Sequence, residues 1–229
     1  MGHRFLKVVG LMVLLVACLP LLAGDIVDRI VATVNGHIIL QSDWEDALRF
    51  EAFISNRSVD QLTIEDRKGA LDRLIDQELL REQMRSAYFQ HATDEDVNRR
   101  IAEIRKQYAP ADTEPGWRDV LTGYGLTENE LKQRISSELD ALRLVDARLR
   151  PAVSIDSKSI ESYYNHELLP QLRHSGEKEV PLPEVSPRIK ELLTQQKVNE
   201  LMLAWLQNLR AGSNIRTSSF PSDAVGQVQ

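Results

Sequence analysis

Residues 26–40 read IVDRIVATVNGHIIL, and the next ten read QSDWEDALRF. Beta-branched residues flank Asn35-Gly36, a pair that adopts positive φ readily, so the segment predicts a β-hairpin closed by a two-residue turn. Helical sequence starts at once. Ser42 followed by Glu45 forms a capping-box pattern, and Trp44, Leu48 and Phe50 to Ile54 supply an apolar surface. A short sheet that runs straight into helix sets the fold class: mainly α, with a small hairpin at the amino end.

Downstream, the pattern repeats as helix after helix up to Arg150. Thr63 is placed to cap a segment running to about Phe89, Thr93 another through Tyr108, and Thr127 a third ending before Pro151. The first of these changes its apolar face midway. At about 100° per residue, Leu71, Leu74, Ile75 and Leu79 lie on one side and Leu80, Met84, Ala87 and Tyr88 nearly opposite. Residues 109–125, with prolines, glycines, Trp117 and Tyr124, read as the turn-rich tip of a helical arm. Leu131, Ile135, Leu139, Leu142, Val145 and Leu149 form one continuous stripe.

A further short helix follows Pro151. Residues 165–185 carry prolines and charges with little apolar content and read as a linker. The closing helix is expected from Ser186, its cap, through Pro187 to Gly212, its stop. Val198, Leu201, Met202, Trp205, Leu206 and Leu209 make a regular stripe that needs a partner, and only the helical block beyond the linker can provide it. Residues 214–220 read as a short strand and 218–229 as a disordered tail.

Upstream of the hairpin, residues 1–24 have a basic start (Arg4, Lys7) and an apolar run from Val8 to Leu22, the layout of a cleaved secretory signal. A permanent anchor and a lipoprotein processed at Cys18 are the competing readings. Cleavage after Ala23 or Gly24 would give a periplasmic chain with no stable membrane span. Loss of Arg4 and Lys7 leaves 26 basic against 34 acidic residues. That balance offers no basic stripe for phosphates and excludes a nucleic-acid binder. The single cysteine of the sequence, Cys18, leaves with the signal, so packing alone would hold the mature fold.

Catalytic patterns are missing. His166-Glu167 would begin a zinc-protease motif, but position 170 is proline where the second histidine belongs. Gly123-Tyr124-Gly125 lacks the lysine of a phosphate loop, and the acidic residues of DRLIDQELLREQ alternate with arginine as a solvated face does. No cofactor, metal or catalytic residue is expected.

These segments together resemble the SurA-type periplasmic chaperones. The likeness runs from IVDRIVATVNGHIILQSDWEDALR through ALDRLIDQELLREQ, TDEDVNRRIAEIRKQY, WRDVLTGYGLTENELKQRISSELDALRLVDARLR and VSIDSKSIESYY, and resumes at SPRIKELLTQQKVNELMLAWLQNLRAGSNI. In that family a parvulin-type isomerase domain commonly stands between the helical block and the closing helix; the 21 residues Asn165–Val185 cannot hold one. The resemblance therefore implies a helical chaperone core, residues 25–164 completed by 186–217, that binds unfolded or outer-membrane polypeptides without ATP. It implies no isomerase activity. Met84, Tyr88, Phe89, Trp117 and Tyr124 are the candidate client contacts, with burial in the core as the competing reading for each. The alternatives are a module for one specific envelope partner and a prolyl isomerase working through an unrecognised site.

Overall fold

The computed structural model describes residues 28–218; the expected signal segment with Cys18, and the tail from residue 219 on, lie outside the described residues. Strands β1 (Ile30–Val34) and β2 (His37–Leu40) form the expected hairpin, with Asn35 at φ 49° and Gly36 at φ 89° in its turn. Strand β3 (Ile215–Thr217) pairs antiparallel with the free side of β1, giving the order β2-β1-β3. The expected closing strand is thus present, and the first and last described elements close on each other.

Helices α1 (Gln41–Ile54), α2 (Ile64–Met84), α3 (Asp94–Arg105), α4 (Glu114–Gly123) and α5 (Glu128–Leu149) build the block. Thr63, Thr93 and Thr127 cap α2, α3 and α5 as the sequence predicts; each hydroxyl accepts from the third residue of its helix, and that residue's carboxylate accepts in return. Helix α1 departs from expectation. It starts at Gln41, the Asp43 carboxylate accepts from the Leu40 N–H at 2.9 Å, and the Ser42 hydroxyl donates to Asp28 instead of capping.

Helix α1 divides the interior in two. Trp44, Leu48 and Ala52 pack with β1, β2 and α2 around Val34, Leu71, Ile75 and Leu79. Phe53 faces the other way, into α3, α4 and α5, beside Ile104, Trp117, Leu121, Leu131 and Ile135. Glu78 is buried on α2 and 3% exposed; Arg81 donates to it at 2.8 Å and His37 Nε2 stands at 3.6 Å, so the charge has partners.

Three expectations are corrected. Helix α2 stops at Met84, not Phe89, so Ala87 and Tyr88 leave the helical pattern. Residues 109–125 are not a run of turns: Thr113 caps α4, Pro115 sits in its first turn where no N–H is needed, and Trp117 and Leu121 face inward. On α5, Leu142 points to solvent while Leu144 and Val145 are buried, because the second half of this helix packs on different neighbours from the first.

The expected linker is mostly helix. Helix α6 (Ser157–Tyr163) continues through a π-helical turn, Tyr164–Leu168, into α7 (Leu169–Ser175). Pro170 has no N–H to donate, and the wider π-turn accommodates the broken ladder. Gly176, at φ 72°, ends α7. Only residues 176–181 remain as a connection before α8 (Leu182–Ala211), which begins four residues ahead of Ser186 and carries Pro187 inside it. At about 100° per residue Ile189 and Val198 lie on opposite sides of α8. Both are buried, since the helix touches α6 as well as α2 and α5. Its expected stripe is only half-buried: Val198 is covered, Leu201, Met202, Trp205, Leu206 and Leu209 partly so.

Candidate polypeptide-binding surface

The candidate residues separate into two environments. Trp117 is 2% exposed and belongs to an aromatic cluster, which removes it from the accessible surface. Phe53 is the hub: Tyr108 stacks on it at 5.3 Å, Tyr124 meets it edge-on at 5.5 Å, and Trp117 lies 6.0 Å away. The Tyr108 hydroxyl donates to the Phe53 carbonyl, and burial pushes its pKa well above the ordinary tyrosine value, with Tyr124 adding to the shift. Arg105 lies over the Trp117 ring at 5.7 Å. Tyr124 is half-buried where the two cores meet. These rings are structural, and a sequence window could not find this because Phe53, their hub, lies on α1, far along the chain from α3, α4 and α5.

Met84, Tyr88 and Phe89 stand elsewhere, at the end of α2 and in the loop that follows. Met84 is half-buried, Phe89 rests on His91 at 4.5 Å, and Tyr88 is fully exposed. Helix α5 fixes this loop. Asp140 accepts from the Ala92 N–H at 2.6 Å and pairs with His91 at 2.8 Å. Arg143 donates to the Gln90 carbonyl at 3.4 Å, to the Asp96 carboxylate at 2.6 Å and also to the His91 carbonyl. The Thr93 hydroxyl and N–H, then Arg143 and Arg99, hold the Asp96 carboxyl down at about 2. Leu142, one residue before Arg143, is 54% exposed. Its place in a leucine stripe hid it, and no local signal marks it as facing out.

A loop end fastened by half-buried polar groups can contact apolar side chains of another polypeptide without ordering itself first. Exposed Leu192 and Leu203 add apolar surface on α8. Among the described residues no three His, Cys, Asp or Glu side chains stand together as a metal site, and no helix is long and apolar enough to cross a membrane.

Comparison with known proteins bears on this arrangement. No curated protein matches the sequence significantly. Among solved structures, a chain described with PEB4 and Cj1289, two SurA-like chaperones of Campylobacter jejuni, superposes with a TM-score of 0.50 at 10% identity, over 83% of this chain and 99% of that one. At that identity the likeness is one of fold. The profile of the SurA-like N-terminal domain matches residues 5–145, more than half of the sequence. With a helical block of this kind, a closing helix docked on it and no parvulin domain between them, the chain belongs to the SurA-like N-terminal domain family.

Proposed function

We propose that the protein is a periplasmic holdase, which binds unfolded segments of outer-membrane proteins without ATP and without prolyl isomerase activity. The observation that carries this reading is the family's chaperone block joined to its closing helix by a helical hairpin where a catalytic domain would otherwise stand. The structural neighbours are described as SurA-like chaperones, and one of them as periplasmic, which supports both the activity and the compartment. A holdase works by transient apolar contact, so the solvent-facing Tyr88 and Leu142, with half-buried Phe89 beside them, suit the task. Binding of this kind tolerates sequence variation and is stoichiometric.

The test is aggregation of an unfolded β-barrel protein diluted from urea. The purified protein should delay light scattering at near-equimolar ratio with no nucleotide present. The same preparation should leave the isomerisation of an X-Pro peptide at its slow uncatalysed rate, tens of seconds or longer. Failure to delay aggregation of any such client, with capture of one folded envelope protein, would turn the reading to a specific-partner module.

A further inference from the structure

We propose that β3 is a displaceable stand-in for a client strand: an extended client segment pairs with β1 in its place. This inference rests on the holdase reading and names the site it would use.

The sheet supplies the reasons. β1 is the most deeply buried strand, with Val31, Ala32 and Val34 all in the core, yet one of its edges is covered by three residues only. Of these, Ile215 is half-buried against the core, while Arg216 and Thr217 are exposed. A strand of three residues fixed on one side by a ladder is the segment most ready to open. Its fastenings are solvent-facing. The Asn35 N–H donates to the Asn214 carbonyl at 3.0 Å, Asn214 N–H returns a bond to Asn35 Oδ1 at 2.9 Å, and Asn35 Nδ2 reaches Ser213 Oγ at 3.2 Å. At the other end the Ser218 N–H donates to the Val31 carbonyl at 3.0 Å. Water can replace each of these. Helix α8 need not move, because Gly212 to Asn214 separate it from β3 and Arg210 independently ties the helix to Asp76 at 2.6 Å and to the Asp72 carbonyl at 2.8 Å.

Release of β3 would leave the ladder groups of β1 open beside a hole where Ile215 sat. The register fixes what fits. Val34 faces Ile215, Thr33 faces Arg216 and Ala32 faces Thr217. An incoming strand therefore needs an apolar side chain opposite Val34 and a solvent-tolerant one opposite Thr33. Alternation of that kind is the signature of outer-membrane barrel strands, and pairing through main-chain bonds tolerates the rest of the sequence.

The test locks the strand. Thr33 and Arg216 are directly opposed, on the side away from the core, at a separation that a disulfide spans. Thr33→Cys and Arg216→Cys are introduced into the full chain with Cys18→Ser, so the engineered pair is unique. The reduced protein should delay aggregation of an unfolded β-barrel protein like wild type; the oxidised protein should require several times more chaperone for the same delay. Equal protection by both forms overturns strand exchange and leaves the holdase reading standing. Loss of protection by wild type itself overturns both. Should the double variant misfold, a chain ending at Gly212 decides: removing a competing strand should tighten client binding by the inverse of the fraction of time that the strand is open. Weaker binding by that chain overturns the proposal.

Discussion

The two halves of this interior are fastened by different means. Around Phe53, the rings of Tyr108 and Trp117 and the aliphatic residues of three helices are buried, half-buried Tyr124 closes the edge, and the Tyr108 hydroxyl has its acceptor. Along α8, only Val198 and Ile189 are covered, and the rest of the contact is half-exposed leucine, a tryptophan under Arg148 at 4.8 Å, and ion pairs from Arg150 to Glu191 and Arg210 to Asp72 and Asp76. The arm is therefore closed by burial, and the closing helix is held as much by charge as by burial. Screened pairs of this sort each contribute little, so the second region is the softer one.

The strongest way to break that comparison is Phe53→Ala. It empties the centre of a sealed cluster and should cost about 3–5 kcal/mol in urea unfolding, with Trp117→Ala in the same range. A loss below 1 kcal/mol, the range of ordinary surface substitutions, would mean the cluster is not sealed. The same change on α8 should be milder. Trp205 is half-buried, so Trp205→Ala should cost about 1–2 kcal/mol, from partial burial and the arginine above the ring. If it matched Phe53→Ala, the two regions would be equivalent after all.

Acid should find the caps next. The Asp66 and Asp96 carboxyls are both held at about 2, below their ordinary value of 3.8, by Arg57 and Thr63 in the first case and by Thr93 and the nearby arginines in the second. A depressed pKa contributes stability that is complete above the ordinary value and is lost as pH falls through the folded one. The melting temperature should therefore drop between about pH 4 and about pH 2, and Asp96→Asn should flatten part of that drop. A profile unchanged in the variant would show the α3 cap to be silent. The smallest effect on stability belongs to Tyr88→Ser, within about 0.5 kcal/mol because the ring is fully exposed. Client protection should nevertheless fall, and a variant that protects as wild type would remove Tyr88 from the surface that matters.

Much of the fold was legible because its signals are local. The Asn35-Gly36 turn, the three threonine caps and the apolar stripe of α5 are all decided within a few residues, and the docking of the closing helix followed from a stripe on α8 that demanded a partner. The errors have a common cause in tertiary context. Proline and charge at 165–185 suggested a linker, but a π-turn absorbed Pro170 and Pro187 was tolerated inside α8. Trp117 stood open between client contact and core, and only the approach of α1 from far along the chain shows it to be core. Conversely Leu142 sat in a good stripe and still faces water. Which of several leucines a helix turns inward depends on its neighbours, and a single sequence does not list them.

The hairpin formed by α6, α7 and the start of α8 turns at Gly176, and no residue of its turn, 176–181, belongs to either buried core. A junction of that shape is a splice point. Any folded unit whose own termini lie close together can be set between Gly176 and Pro181 at little more than the entropy of a longer loop, which grows only slowly with length. Neither core borders the turn, so such a unit can be gained or lost while the block and its closing helix keep the same packing. Modularity here is a property of one six-residue turn.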